Sequence, residues 1–130
     1  MITEDYVSFE TAKLLKEKGF DEPTTEYYSE DGNEIHPRDA WVEAYPDRYY
    51  PLCTLQMAKK WLRETHKLFI EVHIEQGEKV SYKFMIWDFN IIHPNKYTGG
   101  TYDFREEQKG FSTPEQAVEA ALKYSLENLI

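Results

Sequence analysis

From Leu68 to Glu75, apolar and polar residues alternate without a break. Leu68, Ile70, Val72 and Ile74 fall on one side, and Phe69, Glu71, His73 and Glu75 on the other. Successive strand side chains point to opposite faces, so this run predicts a strand with one buried and one partly wet face. Val80, Tyr82, Phe84 and Ile86 repeat the pattern after a Gln76-Gly77-Glu78 turn and predict its antiparallel neighbour. Glu75 opposite Lys79 and Glu71 opposite Lys83 would make two favourable cross-strand charge pairs, which sets the expected register. After Ile86 the apolar positions change phase to Trp87, Phe89 and Ile91. That predicts a β-bulge or bend near 86–88, or a strand end covered on both faces. A loop over 93–100 contains Pro94 and Gly99-Gly100, and Tyr102 and Phe104 alternate with polar neighbours in a third strand.

Helices flank this sheet. Ser8 caps a helix expected over 9–18, with Phe9, Ala12 and Leu15 as its apolar stripe and Gly19 as its left-handed stop. Thr54 caps a second helix over about 55–66, whose apolar face is Leu55, Ala58, Trp61 and Leu62. Ser112 with Glu115, or Thr113 with Gln116, forms a capping box before a last helix with Pro114 in its first turn. Ala117, Val118, Ala121, Leu122, Leu126 and Leu129 give that helix an apolar stripe. The expectation is an α+β fold: a two-layer domain with an antiparallel sheet of three or more strands packed by helices, ordered helix-strand-strand-strand-helix over 55–130. A chain of 130 residues fits one domain, taken as 1–130. Within it, 21–53 is an irregular, acidic, tyrosine-rich insertion. Tyr27 to Ile35 there predicts a short hairpin around a two-residue Asp31-Gly32 type I′ turn.

Charge is unevenly spread. The chain has 24 acids and 15 bases, a net −9, and residues 1–50 hold 13 of the acids against 5 bases. An acidic surface repels phosphate backbones and anionic lipid, so neither nucleic acid nor a membrane is an expected partner. The strand order over 55–130 matches that of double-stranded RNA-binding domains. The phosphate-gripping position at the start of the last helix is Ser112-Thr113-Pro114-Glu115-Gln116, which holds no base. A lone cysteine, Cys53, leaves no intramolecular disulfide and no cysteine-built zinc site, and suits a reducing, cytoplasmic compartment.

Chemistry-bearing constellations are sparse. His36, His66, His73 and His93 lack helical ligand spacing, and the glycines form no phosphate loop. No catalytic residue, metal-ligand set or cofactor motif emerges, so no cofactor is expected. Glu30-Asp31-Gly32-Asn33-Glu34 lacks the alternating oxygens of a calcium loop and reads as a turn. Cys53 near a helix start has the setting of a lowered thiol pKa, but no base can be assigned to it. Asp88 with His93 is the least unfavourable acid–base pair for an enzyme.

Three pieces carry a resemblance. They are the opening Tyr6-Val7-Ser8-Phe9-Glu10-Thr11-Ala12-Lys13-Leu14-Leu15-Lys16-Glu17-Lys18-Gly19-Phe20, then Ala58-x-x-Trp61-Leu62-Arg63-Glu64-x-His66, then Glu115-Gln116-Ala117-x-Glu119-Ala120-x-Leu122. Together they resemble a family of small uncharacterised proteins from bacteria and their phages or prophages. The resemblance implies a mobile-element origin and an intracellular bacterial setting. It assigns no activity.

The expected function is a non-enzymatic protein-binding or accessory module. Its partner would present a basic surface to Glu26, Tyr27, Tyr28, Glu30, Asp31, Glu34, Trp41 and Tyr45, because tyrosine plus acid on irregular backbone is an interface-like composition. The alternatives are a small enzyme around Asp88 and His93, or a homo-oligomer that buries the outer sheet residues Phe69, Met85 and Trp87 between copies.

Overall fold

A computed structural model describes residues 2–35, 45–90 and 102–130. The chain divides into two compact units, residues 1–58 and 59–130. The described residues form three α-helices and two three-stranded antiparallel sheets, an α+β fold. His36, Trp41, Ile91, His93 and the Gly99-Gly100 pair lie outside the described residues.

The first unit is built on helix α1 (Phe9–Glu17). Ser8 caps it, its Oγ accepting the Thr11 amide at 3.1 Å. The other end closes with Gly19 at φ +92°. Its amide donates to Lys16 O (3.1 Å), and the Phe20 amide donates to Leu15 O (2.9 Å). This paired closure satisfies orphan carbonyls and needs a residue without a Cβ at Gly19. It also brings Phe20 beside Leu15, both buried.

Strands β1 (Tyr27–Tyr28), β2 (Glu34–Ile35) and β3 (Tyr50–Pro51) form a small sheet ordered β2-β1-β3. The β1–β2 hairpin differs in its turn from the expected one. Ser29 O accepts the Gly32 amide (3.0 Å), and the Ser29 amide donates to Asn33 O (2.8 Å). Three residues therefore span the loop, and Gly32 alone takes a positive φ, +82°. Asp31 is spared a left-handed conformation that costs any residue with a Cβ, which is why the longer loop wins over type I′. Phe9 stands edge-on to Tyr28 and Tyr50, with centroids 5.5 Å from each. Lys16 donates to Pro46 O and Tyr49 O, both at 2.7 Å, and fastens the 3₁₀ turn Pro46–Arg48 to α1.

Helix α2 (Leu55–His66) starts at Thr54, whose Oγ1 accepts the Met57 amide at 3.1 Å. It stops at Lys67, the one described non-glycine residue with positive φ, +58°. Strands β4 (Leu68–Glu75), β5 (Ser81–Asp88) and β6 (Asp103–Phe111) follow as a meander in chain order. Helix α3 (Pro114–Asn128) packs on this sheet. Of the two capping boxes, the Thr113 one forms. Thr113 Oγ1 accepts the Gln116 amide at 3.1 Å, and Gln116 Oε1 returns to the Ser112 amide at 3.0 Å.

The β4–β5 register is two residues from the expected one. Glu75 faces Ser81 and Glu71 faces Met85, which leaves a loop over 76–80. A two-residue shift keeps every side chain on its face, so apolar alternation could not tell the registers apart. Charge did not separate them either, because Lys83 reaches Glu75 diagonally at 3.1 Å and Glu107 on β6 at 3.3 Å. The buried face is also shorter than the alternation suggests. Leu68, Ile70, Phe84 and Ile86 are buried with Ala117, Ala121, Leu122 and Leu126 of α3, whereas Ile74 (66%) and Val80 (62%) are exposed.

β5 runs straight along β4 through Asp88, with no extra residue of its own. The irregularities lie on β6. Ile86 faces Glu106 but Trp87 faces Phe104, so Arg105 is the extra residue. Phe84 faces Gln108 but Tyr82 faces Phe111, and Gly110, at φ +90°, lies in that second shift. β6 extends well past Arg105 because pairing with β5 overrides the low strand propensity of Glu106 to Gly110.

Two polar groups in this core generate predictions. Ser125 is fully buried on α3, and its Oγ has no partner among the described residues. Ser125→Ala removes an unsatisfied hydroxyl and improves helix propensity, so chemical denaturation should show a gain of about 1 kcal/mol. His66 packs edge-on against Trp61 (4.9 Å), and its Nε2 is buried without a partner among the described residues. Burial pushes the imidazole below the usual histidine range. The unfolded chain therefore takes up the proton near pH ~6.5 before the folded chain does, and stability falls as pH drops below that value. His66→Phe should shrink the loss of unfolding free energy between pH 7.5 and 5.5 relative to wild type.

Candidate functional site

The outer face of the β4-β5-β6 sheet, opposite the buried face, is built from the odd-numbered positions of β4 and β5. At one end the side chains are aromatic. Phe69 comes from β4, Trp87 from β5, and Phe89 from the residue just beyond it, whose amide donates to Lys67 O at 2.9 Å. Phe104 faces Trp87 because the bulge at Arg105 shifts β6 by one residue; unshifted pairing would put Arg105 there. Tyr102 immediately precedes β6.

The rings form a continuous chain. Phe69 and Phe89 lie 6.3 Å apart at 85°, Phe89 and Tyr102 5.1 Å at 45°, Tyr102 and Trp87 5.4 Å at 84°, and Trp87 and Phe104 5.5 Å at 67°. These are favoured edge-to-face and tilted arrangements. Phe89 (39%), Tyr102 (49%) and Phe104 (48%) remain exposed. Phe69, Glu71, Trp87, Phe89 and Tyr102 line a groove of about 240 Å³. Trp87 Nε1 is buried and has no acceptor among the described residues.

The other end of the face is charged. Lys83 sits between Glu75 and Glu107, and Lys109 lies 3.6 Å from Glu107. Lys83 holds the half-buried Glu75 carboxyl below its usual range, and the two carboxylates raise Lys83 in return. His73 Nε2 lies 2.8 Å from Glu71 Oε2.

The residues expected to bind a partner are distributed differently. Glu30, Asp31 and Glu34 are exposed on the β1–β2 hairpin. Glu26 is half-buried beside Tyr6, and its carboxylate raises the Tyr6 phenol above the usual tyrosine range. Tyr27 is half-buried, and Tyr28 is a core residue whose hydroxyl donates to Val7 O at 2.6 Å. Tyr45 is partly exposed beneath the Arg48 guanidinium, 4.8 Å from its ring centroid. Trp41 lies outside the described residues.

Asp88 has a structural part. It is only 5% exposed, with Oδ2 accepting Arg105 Nη1 at 2.6 Å and Oδ1 accepting the Asn90 amide and Nδ2 at 2.8 and 2.9 Å. Its proposed companion His93 lies outside the described residues. Cys53 is buried. Among the described residues no group of three His, Cys, Asp or Glu side chains is placed to hold a metal ion, and no helix is long and apolar enough to cross a membrane.

No protein family, curated protein or solved structure matches the chain. The sequence places Phe69, Glu71, Met85 and Trp87 on the outer face but does not by itself join Phe89, Tyr102 and Phe104 to them. The change of phase after Ile86 was the available signal: it records the point where the outer face becomes the aromatic one.

Asp88 positions this end of the sheet through Arg105. Asp88→Ala leaves the guanidinium and the Asn90 backbone amide without their acceptor, while Asn90 Nδ2 keeps only His66 O, and should cost about 2 kcal/mol in chemical denaturation. Faster amide exchange at Asn90 and Arg105 than at Phe84 would locate the damage.

Proposed function

We propose that this protein is a non-enzymatic binding module that docks a partner protein of basic surface through the outer face of β4-β5-β6. The observation that carries this is the row of five aromatic rings on that face, three of them substantially exposed. Exposed aromatic clusters of this kind mark interaction sites, and aromatic side chains dominate interface energetics. Basic character in the partner follows from charge: Glu71 lines the groove, and the chain carries −9. An accessory role for a phage or mobile-element protein in the cytoplasm of a bacterial host accompanies the proposal. It is supported by the resemblance of the three sequence pieces and by the single cysteine.

The acidic hairpin then contributes long-range attraction rather than the contact itself. Two multiple variants separate these roles: Phe89→Ser with Phe104→Ser on the face, and Glu30→Gln, Asp31→Asn and Glu34→Gln on the hairpin. Affinity capture from the native host should lose its basic partner with the face variant. With the hairpin variant it should keep the partner but lose part of the association rate. A face variant that retains the partner overturns the proposal. So does light scattering that shows wild type to be a dimer which the face variant dissolves, because a second copy would then be the occupant.

A further inference from the structure

We infer that the groove on the outer face takes one arginine side chain of the partner, with its guanidinium against the rings of Trp87, Phe89 and Tyr102 and its charge met by Glu71. The inference rests on the docking function proposed above and names what the groove recognises.

Three observations lead to it. The first is the lining, four aromatic rings and one charged residue, the carboxylate Glu71. Ring faces are the negative regions of aromatic quadrupoles, so rings meeting at 45° and 84° around a small hollow present several such faces to one cation. An uncharged apolar side chain would fill the same hollow but add no counter-charge to the carboxylate beyond its contact with His73.

The second is how the neighbouring cations are placed. Arg105 is held by Asp88 at 2.6 Å, and Lys83 by Glu75 and Glu107 at 3.1 and 3.3 Å. Among the described residues no lysine or arginine lies over a groove ring. In the first unit, by contrast, Lys13, Lys16 and Arg48 sit 4.8, 5.0 and 4.8 Å from the centroids of Phe9, Tyr50 and Tyr45. Glu71 is engaged by His73 through Oε2.

The third is the shape of the cation. A guanidinium is planar, weakly hydrated and able to stack on a ring while its edge donates to a carboxylate. An ammonium is a compact, strongly hydrated point that gives up more on leaving water. Arginine is also the cationic residue enriched at interface anchors.

The test uses the full chain and three blocked tripeptides, acetyl-Gly-X-Gly-amide, with arginine, citrulline or norleucine as X. Binding is followed by the indole Nε1–H resonance of Trp87, assigned by its disappearance in Trp87→Phe. The arginine peptide should give a saturable shift in the millimolar range, about tenfold tighter than either other peptide. Glu71→Gln should weaken the arginine peptide roughly fivefold and leave the other two unchanged, with thermal unfolding confirming an intact fold. Equal binding of citrulline or norleucine overturns the cation assignment and leaves the docking face standing as an apolar surface. Absence of any saturable shift overturns the arginine site, while the capture experiment with Phe89→Ser and Phe104→Ser decides the docking function separately.

Discussion

A single ion pair organises the aromatic end of the second unit. Asp88 is the last residue of β5 on the buried side of the sheet, where a carboxylate must be paired to be tolerated. Arg105 meets it at 2.6 Å, and Arg105 is the residue that β6 inserts beyond the regular ladder. The bulge and the ion pair thus imply each other. The extra residue lets the guanidinium reach the buried oxygen, and that bond keeps the extra residue in place. The consequence on the opposite face is a one-residue shift that brings Phe104, rather than Arg105, opposite Trp87.

One sheet therefore carries two chemistries. Its inner face is apolar except at the paired Asp88 and is covered by α3, whose alanines at 117 and 121 allow close approach. Its outer face runs from a charged cluster around Lys83 to the ring cluster around Trp87. The charged end is self-satisfied: Glu75, Lys83, Glu107 and Lys109 pair among themselves. The aromatic end is the part with surface left to offer a partner. Exposed rings promote non-specific association, which a net charge of −9 opposes through repulsion.

The first unit spends its tyrosines differently. Tyr28 and Tyr50 hold α1 through Phe9, and the Tyr28 hydroxyl satisfies the Val7 carbonyl. With so few residues in each strand, β1, β2 and β3 draw little from their own ladder. Edge-on ring contacts and the two Lys16 hydrogen bonds supply what the short strands lack. The acidic side chains Glu30, Asp31 and Glu34 remain on the solvated side of the hairpin, suited to steering rather than to close contact.

The helices, the strand alternation and the α+β class are legible in the chain, because they follow from local rules. Ser8 and Thr54 cap where a hydroxyl precedes an apolar stripe, and Gly19 ends a helix because only glycine takes its φ cheaply. The tertiary structure decided everything that depends on which residues face each other across strands. A two-residue slip in register preserves every face, so alternation could not fix β4 against β5. Thr113 and Ser112 were equally good caps until the helix was set on its sheet. The phase change after Ile86 was visible in the sequence. The extra residue of the facing bulge, Arg105, lies on another strand, seventeen positions beyond Asp88, chosen by a buried carboxylate that local propensity cannot see. The aromatic groove depends on that choice, so its parts could be read from the chain but their meeting could not.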